Sequence, residues 1–227
     1  MNIERLPDAF AAIAHGAFSG DAAYGGVLGA LIVGFRRAAF SNEAGLGSAA
    51  IAHSAVRTRE PLTEGFVALW EPFIDTVVIC TVTALIIIVS GQYLQQGLDG
   101  VALTSGAFAS VFSWFPYVLT VAVFLFAYST MITWGYYGTK AVGFLTGESK
   151  LAMNLFKGFF LLMTVVGCSM QLGSIIGIAD AMLLMMSIPN LIGVYLLLPV
   201  VRRELDSYLA RLTSGEIRPH LAKEIAP

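Results

Sequence analysis

The chain has 227 residues, 57% of them hydrophobic and only 12% charged, with 13 Lys+Arg against 15 Asp+Glu and a net charge of −2. That is about half the charge of an ordinary soluble domain, too little to cover a soluble surface, so composition points to an integral membrane protein. The near-neutral balance argues against nucleic acid as a partner, because nucleic acid selects basic patches.

A transmembrane helix needs about 20 mostly apolar residues, and that ruler predicts five spans in a single all-α membrane domain. Residues 1–20 read as an interfacial piece carrying acids and Pro7. Their start lacks the basic region and apolar core of a cleaved leader. The first span, 25–56, is interrupted by Arg36, Arg37 and the run SNEAGLGS. Spans at 65–89, 115–138, 155–170 and 174–201 follow, with Pro189 inside the last. Residues 202–227 form a charged tail, expected to be an amphipathic helix followed by coil. Basic residues cluster after the first, third and fifth spans, while the stretch from Gly91 to Trp114 carries none. This places those basic loops and the tail in the cytoplasm and the amino-terminus outside. An odd count with an external start predicts a piece of a longer protein.

The stretch from Phe40 to Ala50, FSNEAGLGSAA, carries the most chemistry. Non-helical backbone at membrane depth must line a cavity or be packed in protein. Gly45 and Gly47 permit left-handed dihedrals and close approach of a ligand. Ser41 and Asn42 are suited to cap a helix resuming toward His53. The N–H groups of such a start would face an anionic group such as a carboxylate. Broken helices of this kind bind substrate near the bilayer midplane in many secondary transporters. The bland alternative is a surface loop between two short helices.

Glu43, Glu71, Asp75 and Asp180 lie in or near apolar runs, where a carboxylate needs a partner, a wet cavity or an interfacial position. Arg36 and Arg37 are the cations at hand, and a pair between Arg37 and Glu43 or Asp75 is the simplest expectation. Glu71 and Asp75 share a helical face. A carboxylate proton relay has nothing in the spacing to single it out, and His53 reads as an interfacial residue. In the third span, Ser129 and Thr130 follow Phe126 by one turn. Hydroxyls and freed carbonyls are hard ligands fit for sodium, but Ser and Thr in membrane helices also bond back to their own backbone. Trp134 lies one turn beyond Thr130 and suits either a pocket floor or packing. Asn190 follows Pro189 and is placed to satisfy loosened backbone.

No nucleophile, phosphate-loop or metal-protease motif is present, so an enzyme reading has nothing to carry it. Cys80 and Cys168 sit in apolar runs, and the three histidines are scattered, which leaves neither a disulfide framework nor a metal spacing.

FSNEAGLGSAAIAHSA resembles the sodium:alanine (alanine or glycine:cation) symporter family. FIDTVVICTVTAL from Phe73, FAYSTMITWGYYG from Phe126, ADAMLLMMSIPNLIGVYLL from Ala179 and AHGAFSGDAAYGG from Ala14 resemble that family's further stretches in order. The resemblance covers nearly all of residues 1–205. It implies the carboxy-terminal half of a leucine-transporter-type fold, an inverted-repeat arrangement in which the broken span is core helix six. It further implies that Asn42, Glu43, Ala44, Gly45, Leu46 and Gly47 meet a small neutral amino acid in the cell membrane. Thr130 and Trp134 would contact the same substrate, with Leu46 and Trp134 limiting its size. Phe126, Ser129 and Thr130 would supply part of a sodium site, with sodium as coupling ion and no other cofactor. The amino-terminal half of the fold would be the missing partner, since the family's Gly-Thr-Gly-Asn motif and first five core helices have no counterpart here. The family's Arg-Gly-Leu-Phe is replaced by Arg37-Ala38-Ala39-Phe40. The rival expectation is a non-transporting membrane remnant or assembly subunit.

Overall fold

The computed structural model describes residues 2–18, 26–95, 97 and 100–217. The lead-in at 19–25 and the tail end at 218–227 lie outside them. Every regular element among the described residues is helical.

Helix α1 (Leu6–Phe18) carries Pro7 in its first turn, where a missing N–H costs nothing. Helix α2 (Gly26–Asn42) carries Arg36 and Arg37 and ends at the interruption. The short helix α3 (Ser48–His53) follows it. Pro61 opens α4 (Pro61–Pro72), which runs without a gap into a π-helical turn (Phe73–Ile79) and then α5 (Cys80–Ser90). Pro72 has no N–H to give the preceding turn, and its ring crowds the carbonyl four residues back, so the helix widens at that point. The Cys80 N–H accordingly donates to the Asp75 carbonyl, five residues back. Three long helices lie further along the chain: α7 (Phe115–Leu145), α8 (Lys150–Gly167) and α9 (Leu172–Thr213).

Two segments differ from expectation. The stretch read as a loop from Gly91 to Trp114 contains helix α6 (Gly100–Ala109), packed between α5 and α7. Its ten residues rise only about 15 Å, too short to cross a bilayer. Phe108 stacks on Phe115 at 4.5 Å, and Gly106 makes room for the Gln92 side chain. The tail is no separate helix either: α9 continues unbroken through Pro189 and Pro199 to Thr213. Its 42 residues rise about 63 Å, twice the hydrocarbon thickness. Arg211 makes a two-pronged ion pair with Glu60, at 2.8 and 2.7 Å, that fixes this extension to the start of α4.

Among the described residues, four helices are long and apolar enough to cross a membrane: the α4–π–α5 rod, α7, α8 and α9. Their large apolar side chains point outward, with Phe126 75% and Tyr195 72% exposed, as lipid-facing surface requires. Close packing depends on small residues. A Cβ on Gly138 would overlap the Phe156 ring, so this glycine is what lets α8 lie against α7.

Candidate functional site

Helix α2 packs on α9 and on the π turn, whereas α3 packs on α7. The chain therefore changes neighbours between Asn42 and Ser48, and it does so through non-helical backbone. Glu43, Gly45 and Gly47 all have positive φ, at 55°, 84° and 97°. Glycine takes such angles freely; for Glu43 the angle is strained and must be held by its surroundings.

Those surroundings brace the break from two sides. On the rod, the Asp75 carboxylate accepts from Ser41 Oγ at 2.5 Å, and Thr76 Oγ1 accepts from Asn42 Nδ2 at 2.7 Å. The Asn42 Oδ1 atom takes the Ala44 N–H at 2.9 Å, closing the end of α2. On α9, Asn190 Nδ2 donates to the Gly45 carbonyl at 2.8 Å. A Cβ on Gly47 would lie 3.2 Å from Asn190 Oδ1, so Gly47 serves both the dihedral and the fit. Leu46 is buried at 2% exposed, and its N–H donates to the Glu43 carbonyl. Among the described residues, the Gly45 and Gly47 N–H groups have no backbone partner.

Several expectations are corrected here. Ser41 and Asn42 do not cap the resuming helix. They finish α2, because five non-helical residues intervene and Gly47 itself occupies the cap of α3. Arg37 pairs with neither Glu43 nor Asp75 but with Asp180 on α9, at 2.7 Å. The register of α2 on α9 brings the two together, while Asp75 is taken by Ser41. Glu71 and Asp75 diverge to different halves of the break: Asp75 meets Ser41 before it, and Glu71 meets His53 at the end of α3. The Nδ1 atom of His53 also lies 2.6 Å from Glu64, so both ring nitrogens face carboxylates.

The residues proposed from α7 are on one continuous helix. Ser129 Oγ and Thr130 Oγ1 both donate to the Phe126 carbonyl, at 2.8 and 2.9 Å. That carbonyl is therefore engaged rather than freed, and the hydroxyl lone pairs are what remains to offer a cation. Trp134 is half-buried and meets Tyr137 edge-on at 6.0 Å. Asn190 and the π turn escaped the sequence reading as parts of the site. The only signals were an Asn after a proline and a proline before FIDT.

Long apolar helices around one interrupted and cross-braced helix mark an all-helical multi-pass membrane protein. The chain belongs to the sodium:alanine symporter family, whose profile matches residues 1–223. It is a cell-membrane transporter family, not one of enzymes. The chain is 37% identical to the sodium/alanine symporter AgcS of Methanococcus maripaludis over 98% of its own length and 48% of that protein. It is 39% identical to the probable sodium/glutamine symporter GlnT of Bacillus subtilis over 95% of its length and 45% of GlnT. A sodium/proton-dependent alanine carrier protein of Bacillus sp. strain PS3 is 30% identical over 95% of this chain and 52% of the carrier. The chain thus spans about half the length of the curated relatives it matches.

Proposed function

We propose that this chain is the carboxy-terminal half of a sodium-coupled symporter for a small neutral amino acid, alanine or glycine. In this reading it has five spans, the first of them broken, in the second repeat of a leucine-transporter-type fold. The observation that carries the proposal is the strained break at 43–47, held open by Asn190, Thr76 and Asp75. Helix α2 rises about 25 Å, short of the hydrocarbon thickness of about 30 Å, so a chain entering at one face reaches its break before the other. The N–H groups of Gly45 and Gly47, without a backbone partner among the described residues, suit the substrate carboxylate. Glu43, which has no ion-pair partner among the described residues, suits its ammonium group. Ala44 completes the lining, while Leu46, buried and with its N–H bonded to the Glu43 carbonyl, backs the break from behind. Thr130 and Trp134 approach from α7, with Trp134 limiting side-chain volume.

Phe126, Ser129 and Thr130 supply part of the sodium site once the two hydroxyls turn away from the carbonyl, and the missing half supplies the rest. Sodium orders the unwound backbone, and linkage makes substrate strengthen sodium binding by the same factor. Relatives named for alanine and for glutamine leave pocket size as the selective feature.

The test is sodium-driven alanine uptake in proteoliposomes holding the full polypeptide that carries these residues. Uptake should require sodium, and Thr130→Val should weaken the sodium dependence. Unchanged sodium activation would remove Thr130 from the ion site, and absence of any amino-acid uptake would sink the reading. The 227-residue chain alone should not transport, because its break would lack the facing half.

A further inference from the structure

We propose that His53, Glu64 and Glu71 form a site for one exchangeable proton, and that this proton latches the second half of the broken helix to the neighbouring rod. His53 closes α3, while Glu64 and Glu71 stand on α4. The imidazole lies between them, with Nδ1 2.6 Å from Glu64 and Nε2 3.2 Å from Glu71.

Donor counting requires the extra proton. A neutral imidazole carries one N–H and one lone pair, and an ionised carboxylate only accepts. With both acids ionised and the imidazole neutral, one of the two contacts sets a nitrogen lone pair against a carboxylate oxygen. Both contacts become attractive only when one more proton is present, on the second imidazole nitrogen or on one carboxyl. The trio then carries net charge −1. Release of that proton to water leaves net charge −2 and turns one bridge repulsive. The longer contact, to Glu71, is the one that gives way.

Other charges are engaged elsewhere or lie on other faces. Tyr137 of α7 is within electrostatic range of Glu71 and Glu43. Lys140 of α7 lines the groove beside Ser54 and Ala55, with its ammonium over the Tyr136 ring. Arg57 and Arg59 are exposed in the following loop, and Glu60 is occupied by Arg211 of α9. None supplies the missing donor between His53 and Glu71. Helix α3 is six residues long and starts directly after Gly47, so a latch at its end reports straight to the break.

The inference goes beyond the transport reading and is tested without transport. Spin labels are placed at Ala55→Cys and Val67→Cys in the full polypeptide, with native cysteines replaced, in lipid nanodiscs. The distance between them is followed from about pH 5 to pH 9, the span in which histidine sites titrate. The expected result is one short-distance population at low pH that lengthens and broadens as pH rises. Glu71→Gln gives the site a permanent N–H donor in place of the proton, so its distance should stay short throughout. His53→Ala should give the open distribution throughout. A wild-type distance that ignores pH overturns the proposal, as does a Glu71→Gln variant that opens with pH like the wild type. Glu71→Gln is nearly isosteric, so it keeps the test decisive where His53→Ala fails to fold. Uptake plays no part in the readout, and either proposal can fail while the other stands.

Discussion

Asn190→Ala removes the side chain that joins α9 to the break. The lost bond, 2.8 Å from Nδ2 to the Gly45 carbonyl, is neutral and is the one from α9 among the described bonds that hold the break. Such bonds contribute about 0.5–1.5 kcal/mol in soluble proteins and about 0.6 kcal/mol on average between membrane helices. A loss of about 1 kcal/mol is therefore expected, which raises the open population of the segment roughly fivefold. Amide exchange of residues 43–48, read by mass spectrometry on the reconstituted protein, should speed up by that factor, while peptides in α8 stay unchanged. Gly47→Ala should act more strongly. It places a side chain at φ 97° and sets its Cβ 3.2 Å from Asn190 Oδ1, for a combined cost of about 1–3 kcal/mol. The double variant should cost less than the sum of the singles, because removing Asn190 relieves the contact and leaves only the dihedral strain. Exchange at 43–48 unmoved by Asn190→Ala, or strict additivity of the pair, would refute the reasoning that α9 holds the break in place.

Three further outcomes are expected. Arg37→Ala strands Asp180, whose side chain is 14% exposed, and should destabilise the protein by about 1–3 kcal/mol in denaturant titration, the half-exposed Arg37 keeping the value below that of a fully buried pair. Adding Asp180→Asn should recover most of it. Gly138→Leu drives a side chain into the Phe156 ring and should separate α8 from α7, with a loss of about 1–3 kcal/mol in the same assay that Phe156→Ala partly reverses. The Arg211 guanidinium holds the Glu60 carboxyl below the usual carboxylate range. A lowered folded-state value means that the pair stabilises the protein above the ordinary carboxylate pKa, and that this contribution disappears as pH falls through the lowered one. The melting-temperature difference between wild type and Glu60→Gln should accordingly be constant near neutrality and vanish in acid. A difference that persists in acid would mean that Glu60 acts through packing.

The interruption itself was legible in the sequence. Asn, Glu and two glycines within an apolar run leave the backbone few options, and the positive φ angles fall on Glu43, Gly45 and Gly47. The four long apolar helices were legible for the same reason: length and hydropathy alone define them. The braces were not. Asn190 and Gly45 are 145 residues apart, and Arg37 and Asp180 are 143 apart. Counting charges shows that Arg37 needs an anion but cannot choose among four acids, because the choice depends on how α2 lies on α9. The π turn was hidden because FIDTVVI has the same apolar character in either helical form, and only Pro72 hinted at a widened turn. Helix α6 was hidden by brevity, since a ruler of 20 residues passes over ten.

Accessibility of the break in the full polypeptide tests the central claim most directly. Ala44→Cys, in a background without other reactive cysteines, is labelled by a water-soluble maleimide in native membranes. The account predicts that labelling proceeds through a water-filled access path, that alanine with sodium slows it, and that alanine without sodium does so weakly. Labelling at the rate of a freely exposed loop residue such as Arg59→Cys, indifferent to alanine and sodium together, would place residues 43–48 in bulk water and contradict a substrate site there.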